Sequence, residues 1–354
     1  MNAEPSMSSS ERNDKTQPES QGETLREAEL GFQDREVDAV QPFFLENTGI
    51  RGRMLRLESA IDAVLKRHRY PEPAARLLGE LMALTGLLSS LLKFEGTFTL
   101  QSKSDGPISA MVADMTSAGV VRGYLNVNRE ALSAMLEGLE DGQEPTLGQL
   151  VGEGYLAFTV DQPGHADRYQ AIVALEGESL AECLQNYFRQ SDQVESGVLI
   201  KVDQVADEKG EKHWRAGGII VQLMPDEGGS NAVELEDGAT SGMVRDGDER
   251  KEDWSRTMVL LSSCSREELL DSALPMNDLL YRLFHEELVR VYDRLPLYEG
   301  CRCSREKLET VIKTIPVGEL DQHKVDGRIL ASCEFCSRTY SFDDDDIAKI
   351  QAAD

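Results

Sequence analysis

The sequence predicts an α+β protein: a mixed N-terminal domain with antiparallel sheets and helices, a helical linker, and a small C-terminal zinc module built on four cysteines. Three observations lead to this fold class. Short alternations of apolar and polar residues, separated by turn residues, recur up to residue 225. Helical periodicity prevails between residues 257 and 291, and two close cysteine pairs follow residue 297.

The composition limits the classes of function. A chain of 354 residues with 40% hydrophobic residues can bury a sizeable core and hold two domains with a tail. The formal net charge of −27 disfavours nucleic acid and anionic membrane surfaces as partners, because both attract a basic face. The most apolar stretch, Leu77–Leu92, is interrupted by Glu80 and is too short to span a bilayer.

The first residues and the cysteines predict the location. The opening segment has no apolar core, so we expect neither a secretory signal nor a transit peptide, and we expect a cytoplasmic protein. Thiols stay reduced there, so clustered cysteines indicate metal or redox chemistry rather than a disulfide framework. Residues 1–39 are polar, acidic and poor in aromatics. We expect them to form a disordered tail, because they cannot bury enough apolar surface to offset the entropy of ordering.

The N-terminal α+β domain is assigned to residues 40–225. Its strand signals are alternations bounded by turn residues, at 50–57, 94–102, 108–114, 120–126, 154–161, 169–175, 197–202 and 217–224. Helices are predicted at 57–67, 73–92, 129–139 and 179–191. The second of these is mostly apolar, which predicts a central position. Gly79 and Gly86 lie near one of its faces, where we expect close packing of another backbone.

Residues 226–297 are assigned to a flexible insert followed by a helical linker. The insert, Pro225–Arg256, is acidic and glycine-rich and shows little periodicity. From Thr257 to Val291 the pattern becomes helical, with apolar runs such as MVLL and LLYRLF. These helices are apolar enough to require a packing surface, and they lead directly into the cysteine module.

The C-terminal module, residues 298–354, contains four of the six cysteines, as Cys301-x-Cys303 and Cys333-x-x-Cys336. The 29 residues between the pairs, 304–332, suffice for a helix and a hairpin that bring the pairs together. Four thiolates match the tetrahedral coordination of one Zn²⁺, and a site with four protein ligands is normally structural. We therefore predict one zinc ion per chain in the reduced form, with these four cysteines as its ligands.

The residues leave open whether zinc is only structural or also masks reactive thiolates. Several cations next to the ligands in the sequence favour thiolate, the nucleophilic and oxidisable form of cysteine: Arg302, Arg305, Lys307 and Arg338. A tight cysteine pair can also close into a disulfide once zinc leaves.

The other reactive residues form no catalytic constellation, so we predict that the protein is not an enzyme. Cys183 lies on a predicted amphipathic helix, where a buried, inert thiol is expected. Cys264 is either packed or a free thiol able to exchange disulfides. Four cysteines satisfy zinc, so His285 and His323 are not needed as ligands. The remaining histidines have no catalytic partner at an informative spacing: His68, His165 and His213.

A series of motifs along the chain resembles the redox-regulated heat-shock chaperone family of thirty-three kilodaltons. The motifs before the linker are Phe44-Leu-Glu-Asn, Tyr70-Pro-x-Pro, Leu92-Lys-Phe-Glu-Gly, Ser104-Asp-Gly-Pro, Arg122-Gly, Gly152-Glu-Gly-Tyr, Arg168-Tyr-Gln, Leu175-Glu-Gly-Glu-Ser-Leu-Ala, Tyr187-Phe-x-x-Ser and Ala216-Gly-Gly. Those after it are Leu283-Phe-His-Glu-Glu, Cys301-x-Cys-Ser-Arg-Glu and Cys333-x-x-Cys. The resemblance covers residues 41–350.

The resemblance implies an ATP-independent holdase that is controlled by its thiols. In the reduced, inactive form, zinc keeps the module folded and the linker docked on the N-terminal domain. On oxidation, Cys301–Cys303 and Cys333–Cys336 are implied to form two disulfides, with release of zinc and unfolding of the module. The metastable linker then exposes apolar surface that binds unfolding client proteins. The N-terminal domain is implied to take part in substrate binding and in a homodimer of the oxidised form.

Two other functions compete with this one. The first is a zinc-ribbon adaptor with permanently structural zinc, which retention of zinc after mild peroxide would favour. The second is a thiol oxidoreductase that uses Cys333-x-x-Cys336, which requires a metal-free pair and turnover with a dithiol. Three features depart from the family pattern: the acidic tail, much of the insert, and the extra linker thiol Cys264.

Overall fold

Two β-sheets with a long apolar helix between them form the larger part of the structure. The computed structural model describes residues 23–24, 38–140, 142–162, 169–192, 194–224 and 247–352. The predicted tail, apart from residues 23–24 and 38–39, lies outside the described residues, as do residues 225–246 of the predicted insert. Within the described residues the α+β fold class is confirmed.

The described strands are β1 (Glu23–Thr24), β2 (Ala39–Leu45), β3 (Ile50–Leu57), β4 (Thr97–Ser104), β5 (Ile108–Thr116), β6 (Val120–Val127), β7 (Gly154–Asp161), β8 (Tyr169–Ala174), β9 (Ser196–Ala206), β10 (Lys212–Leu223), β11 (Val289–Val291), β12 (Leu295–Pro296), β13 (Tyr298–Glu299), β14 (Ile329–Ser332) and β15 (Thr339–Phe342). A seven-stranded sheet has the order β1-β11-β2-β3-β10-β9, with β12 also paired to β2. A six-stranded sheet has the order β13-β6-β5-β4-β7-β8, and β14 and β15 form a separate hairpin.

The described α-helices are α1 (Ser59–His68), α2 (Glu72–Ser89), α3 (Arg129–Glu137), α4 (Leu147–Val151), α5 (Leu180–Tyr187), α6 (Gly247–Ser263), α7 (Arg266–Leu270), α8 (Met276–Phe284), α9 (Arg305–Lys313), α10 (Val317–Leu320) and α11 (Asp344–Ala352). Short turns of other helix types lie at Phe188–Asp192, His285–Glu287 and Asp321–His323. Among the described residues, no helix is both long enough and apolar enough to cross a bilayer.

The helix α2 is the centre of the main core, as its apolar sequence predicts. It packs against both sheets and is buried on nearly all sides from Ala74 to Ser89. Its two glycines allow close packing. A Cβ atom on Gly86 would lie 2.3 Å from Leu55 Cδ1, and one on Gly79 would lie 2.6 Å from Val202 Cγ1. The predicted packing role of both glycines is therefore confirmed, but the groups that approach them are side chains and not another backbone.

The linker helices cover the opposite face of the seven-stranded sheet. Sheet residues such as Phe43, Met54 and Ile219 form a second core with apolar residues of α6, α7 and α8. Phe43 stacks on Phe284, with ring centroids 5.8 Å apart. The sheet is therefore apolar on both faces, with α2 on one side and the linker on the other.

The linker differs from its prediction in two ways. Its first helix begins at Gly247, within the segment predicted as a flexible insert, and not at Thr257. The added turns are mostly polar, so the sequence shows no helical period of apolar residues there. Asp248 and Glu249 in the first turn are favourable, because they lie at the positive end of the helix dipole. Beyond α8 only a short helical turn follows, His285–Glu287, and the linker then contributes β11 and β12 to the seven-stranded sheet, both antiparallel to β2.

A buried arginine of the sheet holds the linker in place. Arg56, 5% exposed on β3, donates from Nε to the carbonyl of Leu269 and from Nη2 to that of Glu268, each at 3.1 Å, and from Nη1 to that of Leu274. Burial lowers the pKa of the Arg56 guanidinium from its usual value. These carbonyls lie at the end of α7 and before α8, where the backbone has no helical donors.

We predict that Arg56→Met loosens the linker, because three buried carbonyls lose their donor. The free energy of unfolding should fall by about 2–3 kcal/mol, and amide hydrogen exchange in α7 and α8 should accelerate. The matched control is Arg189→Met, an arginine whose side chain is 63% exposed. Equal exchange in the two variants would show that Arg56 does not hold the linker.

Candidate metal centre

The four predicted ligands lie on two loops of the C-terminal module. Cys301 and Cys303 follow β13 and precede α9, whose N-cap Ser304 accepts a hydrogen bond from the Lys307 amide. Cys333 and Cys336 lie in the turn between β14 and β15. A small core supports both loops, and its buried members are Ile312, Leu320, Ile329, Phe342 and Ile347.

The hairpin turn is shaped to present its two sulfurs together. The amide of Cys333 donates to the carbonyl of Arg338 at 2.9 Å, and the amide of Ser337 donates to the carbonyl of Cys333 at 2.8 Å. Ser337 has φ of 56°, in the left-handed region that tight turns use. The turn therefore folds back on itself with both cysteines on the same side.

The four sulfur atoms converge. Sγ of Cys301 lies 3.6 Å from Sγ of Cys333, and Sγ of Cys303 lies 3.4 Å from Sγ of Cys336. All four lie within 4.8 Å of one another and are half-buried. Tetrahedral zinc with Zn–S bonds of about 2.3 Å places its sulfurs roughly 3.8 Å apart, so this donor set fits one such ion. His285 and His323 do not belong to the cluster.

The thiols titrate unequally without a cation. Burial alone raises the pKa of Cys301, but the amide and thiol of Cys303 and the thiols of Cys336 and Cys333 donate to its sulfur and lower the pKa to about 7. Burial, together with the bonds its own thiol donates, raises the pKa of Cys336 to about 12. Four thiolates therefore require a positive charge among them, which a divalent metal ion supplies.

The cations next to the ligands in the sequence mostly face elsewhere. Arg302 pairs with Asp114 at 2.8 Å, and Arg305 pairs with Asp346 at 2.7 Å. Lys307 donates to the carbonyl of Arg302. Arg338 interacts electrostatically with the cluster, through Cys303 and Cys336. The predicted basic surroundings of the thiols are therefore only partly present within the module.

Residues of the N-terminal domain complete the surroundings of the cluster. Arg122 Nη1 lies 3.9 Å from Cys301 Sγ, and its guanidinium stacks on the Phe335 ring at 3.8 Å from the centroid. Arg67 Nη1 donates to the Phe335 carbonyl at 3.3 Å, and His68 Nε2 lies 3.1 Å from the same oxygen. The sequence analysis missed these contacts, since they join residues far apart in the chain. The only signal was the Arg122-Gly motif.

The backbone joins the cluster to the six-stranded sheet as well. The strand β13 pairs in parallel with β6, with Tyr298 opposite Val120 and Glu299 opposite Val121. The next amide, that of Gly300, donates to the Val121 carbonyl at 3.2 Å. Cys301 therefore lies two residues beyond the end of a strand that ties the linker to the N-terminal domain.

The two cysteines outside the cluster are buried. Cys183 on α5 is 1% exposed and Cys264 after α6 is 4% exposed. Burial raises the pKa of each thiol to about 11, so both are poor nucleophiles while the structure is intact. The predicted burial of Cys183 is confirmed, and Cys264 lies in the core beneath the linker.

Comparisons with known proteins agree on one family. Residues 38–343 match the family model described as Hsp33 protein. A 33 kDa chaperonin of Caulobacter vibrioides (strain NA1000 / CB15N) is 38% identical over 307 residues, which are 86% of this chain and 95% of that protein. A 33 kDa chaperonin of Ectopseudomonas mendocina (strain ymp) is 35% identical over 319 residues, which are 89% and 95% of the two chains.

The fold has a counterpart among solved structures. The crystal structure of the 33 kDa chaperonin (heat shock protein 33 homolog) from Thermotoga maritima superposes with a TM-score of 0.69 at 23% sequence identity. The similarity covers 89% of this chain and 98% of that chain. The architecture described above therefore extends over nearly the whole length of that protein.

We predict that Cys333→Ser weakens zinc binding at least on the order of 100-fold, because a hydroxyl is a poor substitute for a thiolate. Loss of a residue that only hydrogen-bonds to a metal ligand can already weaken metal binding by that factor. Native mass spectrometry against a competing chelator measures the zinc content per chain. The control Cys183→Ser removes a buried thiol outside the cluster and should keep one zinc per chain. Full zinc content in Cys333→Ser would contradict the predicted ligand set.

Proposed function

This chain belongs to the Hsp33 family, and we propose that it is a redox-regulated, ATP-independent holdase whose reduced, zinc-bound form is inactive. Its relatives are named chaperonins, which supports a chaperone function for this chain. The observation that carries the redox proposal is the position of the cysteine cluster. It lies at the end of a linker that covers an apolar face of the N-terminal sheet.

In this proposal, Cys301, Cys303, Cys333 and Cys336 hold one Zn²⁺. When bound, the ion cross-links the two loops of the module and adds its binding free energy to the stability of the fold. The module has little else to stabilise it, since five buried apolar side chains form the core of its described part. Loss of the thiolates should therefore unfold it.

Oxidation removes the thiolates in a balanced reaction. Each pair of thiolates loses two electrons and forms one S–S bond, while one molecule of hydrogen peroxide accepts the electrons, takes up two protons from the solvent and gives two molecules of water. Hypochlorous acid can replace peroxide, taking up one proton and giving chloride and water for each disulfide. By family resemblance the pairs are Cys301–Cys303 and Cys333–Cys336. Disulfide sulfurs do not ligate zinc, so the oxidised module no longer holds the metal.

Release of the module should free the linker from its C-terminal end. The strand β13, which pairs with β6, would no longer be followed by a folded module. The helices α6–α8 would then retain only their contacts with the sheet. Departure of the linker uncovers two apolar surfaces, that of the sheet and that of the linker itself. Contiguous apolar patches of this kind bind other proteins, and here we propose that they bind unfolding clients. We also propose that the active form is a homodimer.

Further parts of the proposal follow from the same chemistry. A reducing compartment is needed to keep the switch off, which favours the cytoplasm. Neither a nucleic acid nor a membrane is proposed as a partner, because the chain carries a formal net charge of −27. Catalytic turnover plays no part in this mechanism, since the chain binds clients and does not transform them.

We predict that zinc release and suppression of client aggregation rise together when the full chain is treated with peroxide under mild heating. Both should reverse when thiol reductant and zinc are restored, without ATP. Zinc is followed with a chromogenic chelator and aggregation by light scattering of a thermally unfolding client. The control Cys264→Ser should keep the response if the extra linker thiol is only packed.

Two outcomes would contradict the proposal. If peroxide leaves zinc in place, the module is a permanent zinc ribbon and the adaptor function is favoured. If zinc leaves but aggregation is unchanged, or if the reduced protein protects clients equally well, the cysteine cluster does not control chaperone activity.

A further inference from the structure

Arg122 is placed to sense the cysteine cluster from the N-terminal domain. It lies on β6, its side chain is 17% exposed, and it contacts both halves of the cysteine module, at Cys301 Sγ and at the Phe335 ring between Cys333 and Cys336. Its Nε and Nη2 atoms donate to Asp114 Oδ2 at 2.9 and 2.8 Å. The proposed switch assigns no role to this arginine.

The charges at this contact do not balance without the cluster. Asp114 is 4% exposed, and its Oδ2 accepts from both Arg122 and Arg302. One carboxylate thus faces two guanidinium groups, and the three side chains together carry one net positive charge. Arg67, a second cation on the side of the N-terminal domain, is balanced by Glu299, with which it pairs at 2.9 Å, and adds nothing to this excess. The excess positive charge lies beside Cys301.

The reduced cluster supplies the missing negative charge. Four thiolates around one Zn²⁺ carry two net negative charges, whereas two disulfides carry none. Desolvated charges are costly when they lose their partner. The state of the cluster therefore changes the free energy of the contact at Arg122, in addition to changing the fold of the module.

We propose that Arg122 is a positioning residue that makes docking of the cysteine module on β6 depend on the negative charge of the cluster. This inference rests on the proposed zinc-thiolate switch and concerns its first step. When oxidation joins the thiolates in two disulfides, with peroxide as the electron acceptor, Asp114 remains the anion shared by Arg122 and Arg302, and the contact loses the attraction between Arg122 and the cluster.

A change at the Arg122 contact affects the linker through the strand β13. Val121, next to Arg122 on β6, accepts the hydrogen bond of Gly300 at 3.2 Å, and Gly119 accepts that of Tyr298 at 2.9 Å. The Leu297 amide donates to the Asp38 carbonyl at 2.9 Å, beside the first strand of the domain. Weakening the contact at Arg122 thus acts directly on the last hydrogen bonds that fix the linker.

The test is amide hydrogen exchange of the reduced, zinc-loaded full chain. Arg122→Gln keeps hydrogen-bonding groups but removes the charge, so exchange of the Tyr298 and Gly300 amides should accelerate on the order of tenfold, as expected for a lost charged hydrogen bond. Zinc should stay at one per chain, and the β14–β15 amides within the module should exchange as before. Arg122→Lys keeps the charge and should restore most of the protection.

Lys103→Gln is the matched control, since it removes one positive charge from an exposed position on β4 of the same sheet. The inference is overturned if Arg122→Gln exchanges no faster than this control, or if it loses zinc. It is also overturned if Arg122→Lys behaves like Arg122→Gln, because charge would then not be the determinant.

This measurement also separates the inference from the proposed function. It uses reduced protein with neither oxidant nor client. If the exchange results are as expected but, in a separate assay with a thermally unfolding client, the reduced Arg122→Gln variant does not suppress aggregation even in part, the inference on docking stands. The link between linker release and chaperone activity is then contradicted.

Discussion

The seven-stranded sheet is apolar on both faces, and this constraint governs the rest of the structure. The helix α2 covers one face permanently, because it is a continuous apolar helix that also packs on the second sheet. The other face depends on α6, α7 and α8, which come from a distant part of the chain. This second face stays covered only while the linker is docked, so release of the linker exposes a large apolar surface.

The contacts that dock the linker on the sheet suit an interface that can separate and form again. Part of its attachment is polar: Arg56 binds carbonyls of the linker, and Arg266 of α7 pairs with Asp203 of β9 at 2.5 Å. Buried ion pairs contribute little net stability, because desolvation offsets much of their attraction, yet they are costly to leave half-paired. These polar contacts therefore specify the register of the docked linker, while its apolar contacts with the sheet bury most of the surface. The remaining restraint comes from its C-terminal end, where the cysteine cluster lies.

The sequence predicted what local patterns encode and missed what distant contacts create. The strands Ile50–Leu57 and Gly154–Asp161 have the predicted bounds, because clear alternation and turn residues delimit them. The four cysteines converge as their spacing indicates, while zinc binding and the disulfide pairs stay predictions. The predicted start of α6 was wrong because the first turns of this helix are polar. The strands β11–β13 are two or three residues long, too short for any period, and Arg122, Asp114 and His68 reach the cluster only through tertiary folding.

The central claim is that oxidation of the cysteine cluster opens the linker and leaves the N-terminal core intact. Hydrogen exchange of the full chain before and after peroxide tests this most directly. The account predicts that amides of α7, α8 and β11 lose their protection, whereas those of α2, β4 and β5 keep theirs. An oxidised protein that binds clients while α7 and α8 remain protected would contradict it.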